Sequence, residues 1–119
     1  MRVGRKLTGG RYKKPTKKKK TGRQKQARIV KLGPRRIKLL GGRGKTSKIV
    51  SFAGQECNII VKGKAKKATI KNVVETPANS FLARQNILVK GAVIETDLGN
   101  AKITNRPSQE GQIQAVLIE

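Results

Sequence analysis

The chain has 119 residues, of which 29 are Lys or Arg and six are Asp or Glu, giving a formal net charge of +23. That balance points to a polyanionic partner, either nucleic acid or an anionic membrane surface. No apolar run approaches the roughly 18 residues that a spanning helix needs, and no secretory apolar stretch follows Met1, so nucleic acid leads.

Histidine is absent, so the charge barely changes between about pH 5 and 8. The single cysteine, Cys57, cannot form an internal disulfide, and it suggests a reducing compartment. With one Cys and no His, no zinc constellation or Cys–His nucleophile can be assembled, so neither a metal nor a cofactor is expected. At this length one compact domain is expected.

The charge is concentrated at the start. Residues 1–50 hold 20 Lys or Arg and no acid, whereas residues 51–119 hold nine Lys or Arg against six acids. From Met1 to Gln26 the apolar side chains are few, mainly Val3, Leu7 and Tyr12. Such a segment cannot offset an ordering cost of roughly 1–2 kcal/mol per residue. Residues 1–26 are therefore expected to form a basic arm, intrinsically disordered in the free chain, attached to a domain over 27–119.

Beyond the arm, strands are predicted in succession. Ala27 to Leu32 ends at the turn signal Gly33-Pro34, and Arg35 to Leu40 ends at Gly41-Gly42-Arg43-Gly44. Lys48 to Phe52 follows. In Glu56 to Lys62 the residues Cys57, Ile59 and Val61 share one face, which makes Cys57 a buried small hydrophobe. Lys62-Gly63-Lys64 turns the chain into Lys67 to Glu75. Pro77 to Gln85 lacks β-branched residues and predicts one or two helical turns begun by Pro77. Strands resume over Asn86 to Lys90 and Ala92 to Thr96, with a bulge or bend at Gly91. Leu98 to Ala101 reads as a tight hairpin connection, Pro107 to Gly111 as a loop and Ile113 to Ile118 as a last strand. Short segments at this spacing argue for an all-β sandwich or barrel.

Enzymatic motifs fail on inspection. Gly44-Lys45-Thr46 resembles the end of a phosphate-binding loop, but Leu39 stands where its first glycine is required. Ser47 occupies the third glycine position of the dinucleotide fingerprint. Glu95 and Asp97 read as solvated acids or as partners for nearby cations. The chain is not expected to be an enzyme or to bind a small-molecule substrate.

The basic residues give a coherent reading. Lysines at phosphates release counterions and bind strongly at low salt. Arginines add a planar fork that grips phosphate or stacks on bases. The candidate RNA contacts are Arg2, Arg5, Lys6, Arg11, Tyr12, Lys13 and Lys14, then Lys17, Lys18, Lys19 and Lys20, with Arg23, Lys25 and Arg28 behind them. Gly9 and Gly10 would let the backbone approach phosphates closely. A lone lysine run is often a solvated face or a nuclear address, but twenty cations in fifty residues with no acid exceed that. The chain lacks the aromatics of a stacking single-strand reader and the recognition helix of a DNA reader. Folded RNA, threaded by a flexible arm, fits better.

Three blocks of residues then resemble a known family. Gly4-Arg5-Lys6-Leu7-Thr8-Gly9-Gly10-Arg11-Tyr12-Lys13 is similar to the opening signature of the S-eight-e family of small-subunit ribosomal proteins, found in archaea and eukaryotes. Val73 to Asn79 with Arg84-Gln85-Asn86-Ile87 is a second block, and Lys90 to Thr96 with Gly99, Ala101, Thr104, Arg106-Pro107 and Gly111 is a third. The blocks keep the family's order and span essentially the whole chain, whose length resembles the archaeal form. The resemblance implies a small antiparallel β-barrel with a basic extension on ribosomal RNA, neighbouring small-subunit proteins, a place in the cytoplasmic ribosome and no catalysis. Leu7 departs from the polar residue expected there, and residues 14–26 match no pattern of the family. A longer ribosome-assembly factor shares the C-terminal blocks and is the alternative.

Overall fold

The computed structural model describes residues 4–13, 17, 19–22 and 27–118. Among these residues eight strands form two sheets. Strands β1 (Lys31–Leu32), β2 (Arg36–Gly41) and β3 (Ser47–Gly54) make a three-stranded sheet in the order β1-β3-β2. Strands β4 (Glu56–Val61), β5 (Lys64–Glu75), β6 (Val93–Thr96), β7 (Gly99–Ile103) and β8 (Gln114–Leu117) form a closed barrel.

The barrel is not wholly antiparallel, which corrects the expectation. Four seams are antiparallel, but β4 meets β8 in parallel, with Asn58 opposite Gln114 and Ile60 opposite Val116. The reason is parity. Strand direction alternates along an up-and-down series, so an odd number of strands brings the first and last together pointing the same way.

Period-two alternation fills the interior. Ile59, Ile70, Ile94, Ile103 and Leu88 are each no more than 1% exposed. Burial of each stabilises the fold by about 1.5–3 kcal/mol. Alanines at 68, 92, 101 and 115 sit among them in the same cluster. A five-stranded barrel is narrow, and alternating small and large residues is how such an interior closes without clashes. Cys57 lies in this cluster, where burial, helped by the charge of Asp97, pushes its thiol from the ordinary 9.0 to about 11. It is a protonated core residue at neutral pH.

The turn from β4 to β5 uses Lys62 and Gly63, both at positive φ (48° and 77°), as a two-residue hairpin of the primed type requires. Asp97 and Leu98 make the corresponding turn between β6 and β7, where Thr96 pairs with Gly99.

Several expected boundaries move. Of Ala27 to Leu32 only Lys31–Leu32 is strand, paired in parallel with Ala53–Gly54 at the end of β3, while the Val30 carbonyl accepts from the Leu88 N–H instead. Asn86 to Lys90 is not a strand. Asn86 sits at φ 53°, Ile87 makes an isolated bridge to Lys31, and a turn bond from Ala92 N–H to the Val89 carbonyl ends the run. Gly91, at φ 85°, therefore bends the chain ahead of β6 and does not bulge a strand. Helix α1 (Ser80–Arg84) is begun by Asn79, whose side chain accepts from the Phe81 N–H, and not by Pro77.

The segment expected to be a loop contains a short helix, α2 (Pro107–Glu110), with proline in its first turn and Gly111 in the left-handed region at its end. Buried Asn105 holds this turn to the barrel. Its amide donates to the Gln112 carbonyl at 2.7 Å and to Glu110 Oε2 at 3.0 Å, and its oxygen accepts from the Gln114 N–H at 3.0 Å. Asn105→Ala strands the Gln114 N–H and the Gln112 carbonyl and is expected to lower unfolding free energy by about 2–4 kcal/mol. Urea titration of the variant measures this, and a change under about 0.5 kcal/mol, as an ordinary surface substitution gives, would refute the clamp.

Candidate nucleic-acid interface

The opening residues make a small local structure. Arg5 and Arg11 form an antiparallel bridge, the Gly9 N–H donates to the Lys6 carbonyl at 2.9 Å and the Lys6 N–H to the Gly10 carbonyl at 2.8 Å. Gly9 has φ 79°. This is a three-residue hairpin loop whose left-handed position calls for glycine. The Arg5 guanidinium donates to the Gly9 carbonyl at 3.1 Å, and the Lys6 ammonium lies 5.8 Å from the centre of the Tyr12 ring. Leu7, at the tip, is fully exposed. The hairpin thus gathers Arg5, Lys6, Gly9, Gly10, Arg11 and Tyr12 into one exposed cluster, with Lys13 next to it.

Further along, Lys17, Lys19 and Lys20 are exposed, and residues Lys20–Gly22 form a single 3-10 turn closed by the Gly22 N–H on the Lys19 carbonyl. Among the described residues no hydrogen bond joins residues 4–22 to residues 27–118. Arg28 differs from the others, since its guanidinium donates to the Ser108 carbonyl at 2.9 Å and fastens the chain to the turn of α2. Arg2, Lys14, Lys18, Arg23 and Lys25 lie outside the described residues.

Two further groups of cations emerge from the structure and not from the sequence motifs. One lies on the β2–β3 hairpin, where Arg36, Lys38, Arg43, Lys45 and Lys48 are all exposed. Its turn is Gly42 to Thr46, closed by the Gly42 N–H on the Thr46 carbonyl at 2.7 Å. The glycine-rich stretch that resembles a phosphate loop is therefore the tip of an antiparallel hairpin with no helix after it. The second group is Lys62, Lys64, Lys66 and Lys67 at the β4–β5 turn. Lys64 and Lys66 share the inward parity of Ala68 and Ile70, yet they are exposed because β6 pairs with β5 only from Ile70 onward. The signal for this group is the lysine density of residues 62–67, which alternation alone does not assign to a face.

Among the described residues one ion pair is present, Lys71 to Asp97 at 3.5 Å, with both side chains about half exposed. The other described cations have no carboxylate partner, and where they face solvent fixed phosphates can replace their mobile counterions. Among the described residues no group of three His, Cys, Asp or Glu side chains is placed to hold a metal ion.

Comparison with known proteins fits this arrangement. The family model described as Ribosomal protein S8e matches residues 1–118. The chain is similar to the small ribosomal subunit protein eS8 of Haloarcula marismortui, 42% identical over 118 residues that cover 99% of this chain and 96% of that protein. The eS8 protein of Halorubrum lacusprofundi is 36% identical over the same coverage, and that of Methanocella arvoryzae is 38% identical over 96% of this chain and 93% of its own length. The match takes in the exposed Arg5–Arg11 hairpin and the barrel together, and the chain belongs to the ribosomal protein S8e family.

Proposed function

We propose that this chain is a structural constituent of the small ribosomal subunit in the cytoplasm and binds ribosomal RNA through its basic N-terminal arm and the cationic β2–β3 and β4–β5 hairpins. The observation that carries the reading is the charge distribution: 20 Lys or Arg and no acid in residues 1–50. The names of its archaeal relatives support it.

In this reading residues 1–26 act as a basic extension on the RNA, and residues 27–119 as the barrel domain that carries it. The hairpin of Arg5 to Arg11 presents guanidinium and ammonium groups to phosphates, with Gly9 and Gly10 leaving the backbone unobstructed. Tyr12 and the arginines can stack on bases. Neighbouring subunit proteins are expected to cover exposed apolar side chains such as Leu39 and Phe81, each 64% exposed. The chain needs no cofactor and catalyses nothing. The assembly-factor alternative draws no support from relatives that match this chain over 93–96% of their own length and are named as subunit proteins.

Sedimentation of the tagged chain from cell extract at moderately high salt tests this. Stoichiometric recovery with mature small subunits and translating ribosomes is the expected result. Recovery confined to precursor particles, or recovery with DNA, would overturn the proposal.

A further inference from the structure

A groove of about 700 Å³ opens where β3 and the segment Pro34–Arg35 face the outer side of β4 and β5 and the Gly111–Ile113 loop. Its floor includes the buried Ala53, Gly54 and Ile113. Its size falls within the range of small-ligand sites. Its lining is unusually polar for one. On β4, Glu56 and Asn58 stand opposite Thr69 and Lys67 of β5. The exposed Arg35, Gln55 and Gln112 edge it. Among the described residues, the side chains of Arg35, Gln55, Glu56, Asn58, Lys67 and Gln112 make no hydrogen bond or ion pair with one another or with the rest of the chain. Asn58 is half-buried in that state.

The mixture of groups selects the ligand. A site for phosphate alone would not place a carboxylate among its cations, because Glu56 would repel the anion. Whatever meets Glu56 must offer N–H donors, while Lys67 and Arg35 call for an anion nearby. A nucleotide supplies both, a base edge with donors and a phosphodiester beside it. Among the four bases, the Watson–Crick edge of guanine alone presents two adjacent donors, N1–H and N2–H, to the two oxygens of a carboxylate. Its neighbouring O6 accepts from an amide such as that of Asn58. Adenine, cytosine and uracil each present one donor group on that edge. Such an edge is free only in an unpaired nucleotide.

We propose that this groove binds an unpaired guanosine of RNA, with Glu56 reading N1 and N2, Asn58 reading O6, and Lys67 and Arg35 holding the adjoining phosphates. The inference rests on the RNA-binding reading above and adds a base-specific contact on the barrel to the charge-driven contacts of the arm. An extended acidic peptide is the competing occupant, but it would meet Glu56 with a like charge.

Two measurements test it. The full chain, labelled with nitrogen-15, is titrated with guanosine, adenosine and cytidine monophosphates and with inorganic phosphate. Guanosine monophosphate is expected to move the side-chain amide signals of Asn58 and Gln112, and the other three to leave them in place. Glu56→Gln is expected to weaken that binding about ten-fold, the loss of one bidentate base contact. Glu56 and Asn58 are exposed or half-buried on the outer face, so substituting them retains the barrel. Equal responses to all four ligands would reduce the groove to an anion site and overturn the proposal.

In the second measurement, small subunits carrying Glu56→Gln with Asn58→Ala are probed with a guanine-selective dicarbonyl reagent. One guanine is expected to gain reactivity relative to wild-type subunits. Subunits that contain the variant chain but show unchanged guanines overturn the inference and leave the ribosomal assignment intact. Wild-type subunits that lack the chain overturn the ribosomal assignment itself. Micromolar binding of free guanosine triphosphate together with unchanged guanines would make the occupant a soluble nucleotide, and would also overturn the proposal.

Discussion

Removal of residues 1–26 is expected to lower affinity for small-subunit RNA by on the order of 10³-fold near 50 mM salt. That segment carries 12 of the 29 cations and none of the six acids. If about half of the 12 rest on phosphates, the slope of log affinity against log salt should become shallower by about 4–5. The truncated chain should still fold. Among the described residues no buried core residue lies before Val30, and no hydrogen bond ties residues 4–22 to the barrel. Filter binding at several salt concentrations, with thermal unfolding in parallel, reads both effects. Full affinity in a truncated chain that melts normally would transfer RNA binding to the cations of the β2–β3 and β4–β5 hairpins. A truncated chain that fails to fold would refute the division at residue 26.

The largest stability effect is expected from Gly111→Ala. Gly111 closes α2 at φ 73°, a conformation that costs an L-residue about 1–2 kcal/mol. A methyl group there would also lie 2.5 Å from Ile49 Cγ2 and 3.2 Å from Ile49 Cβ. Ile49 is β-branched and stiff at χ1, and because its Cβ and backbone carbon also crowd the added methyl, rotating its side chain would not relieve the clash. Overpacking of this kind adds about 1–3 kcal/mol. Together the two terms predict a loss of about 2–5 kcal/mol, a large share of the stability of a domain this small. Gly63→Ala separates the terms. Gly63 has a similar φ of 77°, and a methyl group added there would meet nothing within 4 Å, so it should lose only the conformational part. Equal losses at both positions in urea titration would remove the steric argument.

Much of the fold is legible in the sequence because strands announce themselves by period. Cys57, Ile59 and Val61 alternate against Glu56 and Asn58, and the structure places the first three toward the core. The Lys62-Gly63 turn is legible for the same local reason. The partition into two sheets is not, because β3 and β4 are separated by Gln55 alone and nothing in the runs Lys48 to Phe52 and Glu56 to Lys62 assigns them to different sheets. Nor does the short helix at Pro107 stand out, although the proline at its start and the glycine at its end are the signals of such a turn. Asn86 reads as strand because its neighbours Ile87, Leu88 and Val89 are apolar, and the positive φ that breaks the run is signalled only by Asn86 itself, a residue type that tolerates the left-handed region.

For the interface, bulk charge exposes the arm at once, since it needs no folding to be counted. The Arg5 to Arg11 hairpin is visible as a motif but not as a shape. The groove cannot be seen in sequence at all. Glu56 and Asn58 look like an ordinary outer strand face until β3, Arg35 and Gln112 are brought beside them from distant parts of the chain.

The parallel seam between β4 and β8 bears on the order of events in biosynthesis. During translation β4 emerges early and its hairpin with β5 can form at once, but its other edge waits for β8. β7 waits for the same strand, since β8 bridges both. Until then the nascent chain is an open sheet with two unsatisfied rims, and its isoleucine-lined interior is only partly covered. Closure is a late, non-local step, so folding should be slow for a chain of this size. Under the proposed RNA-binding role, the cationic residues 1–26, synthesised before the barrel strands, would meet RNA before the barrel has shut.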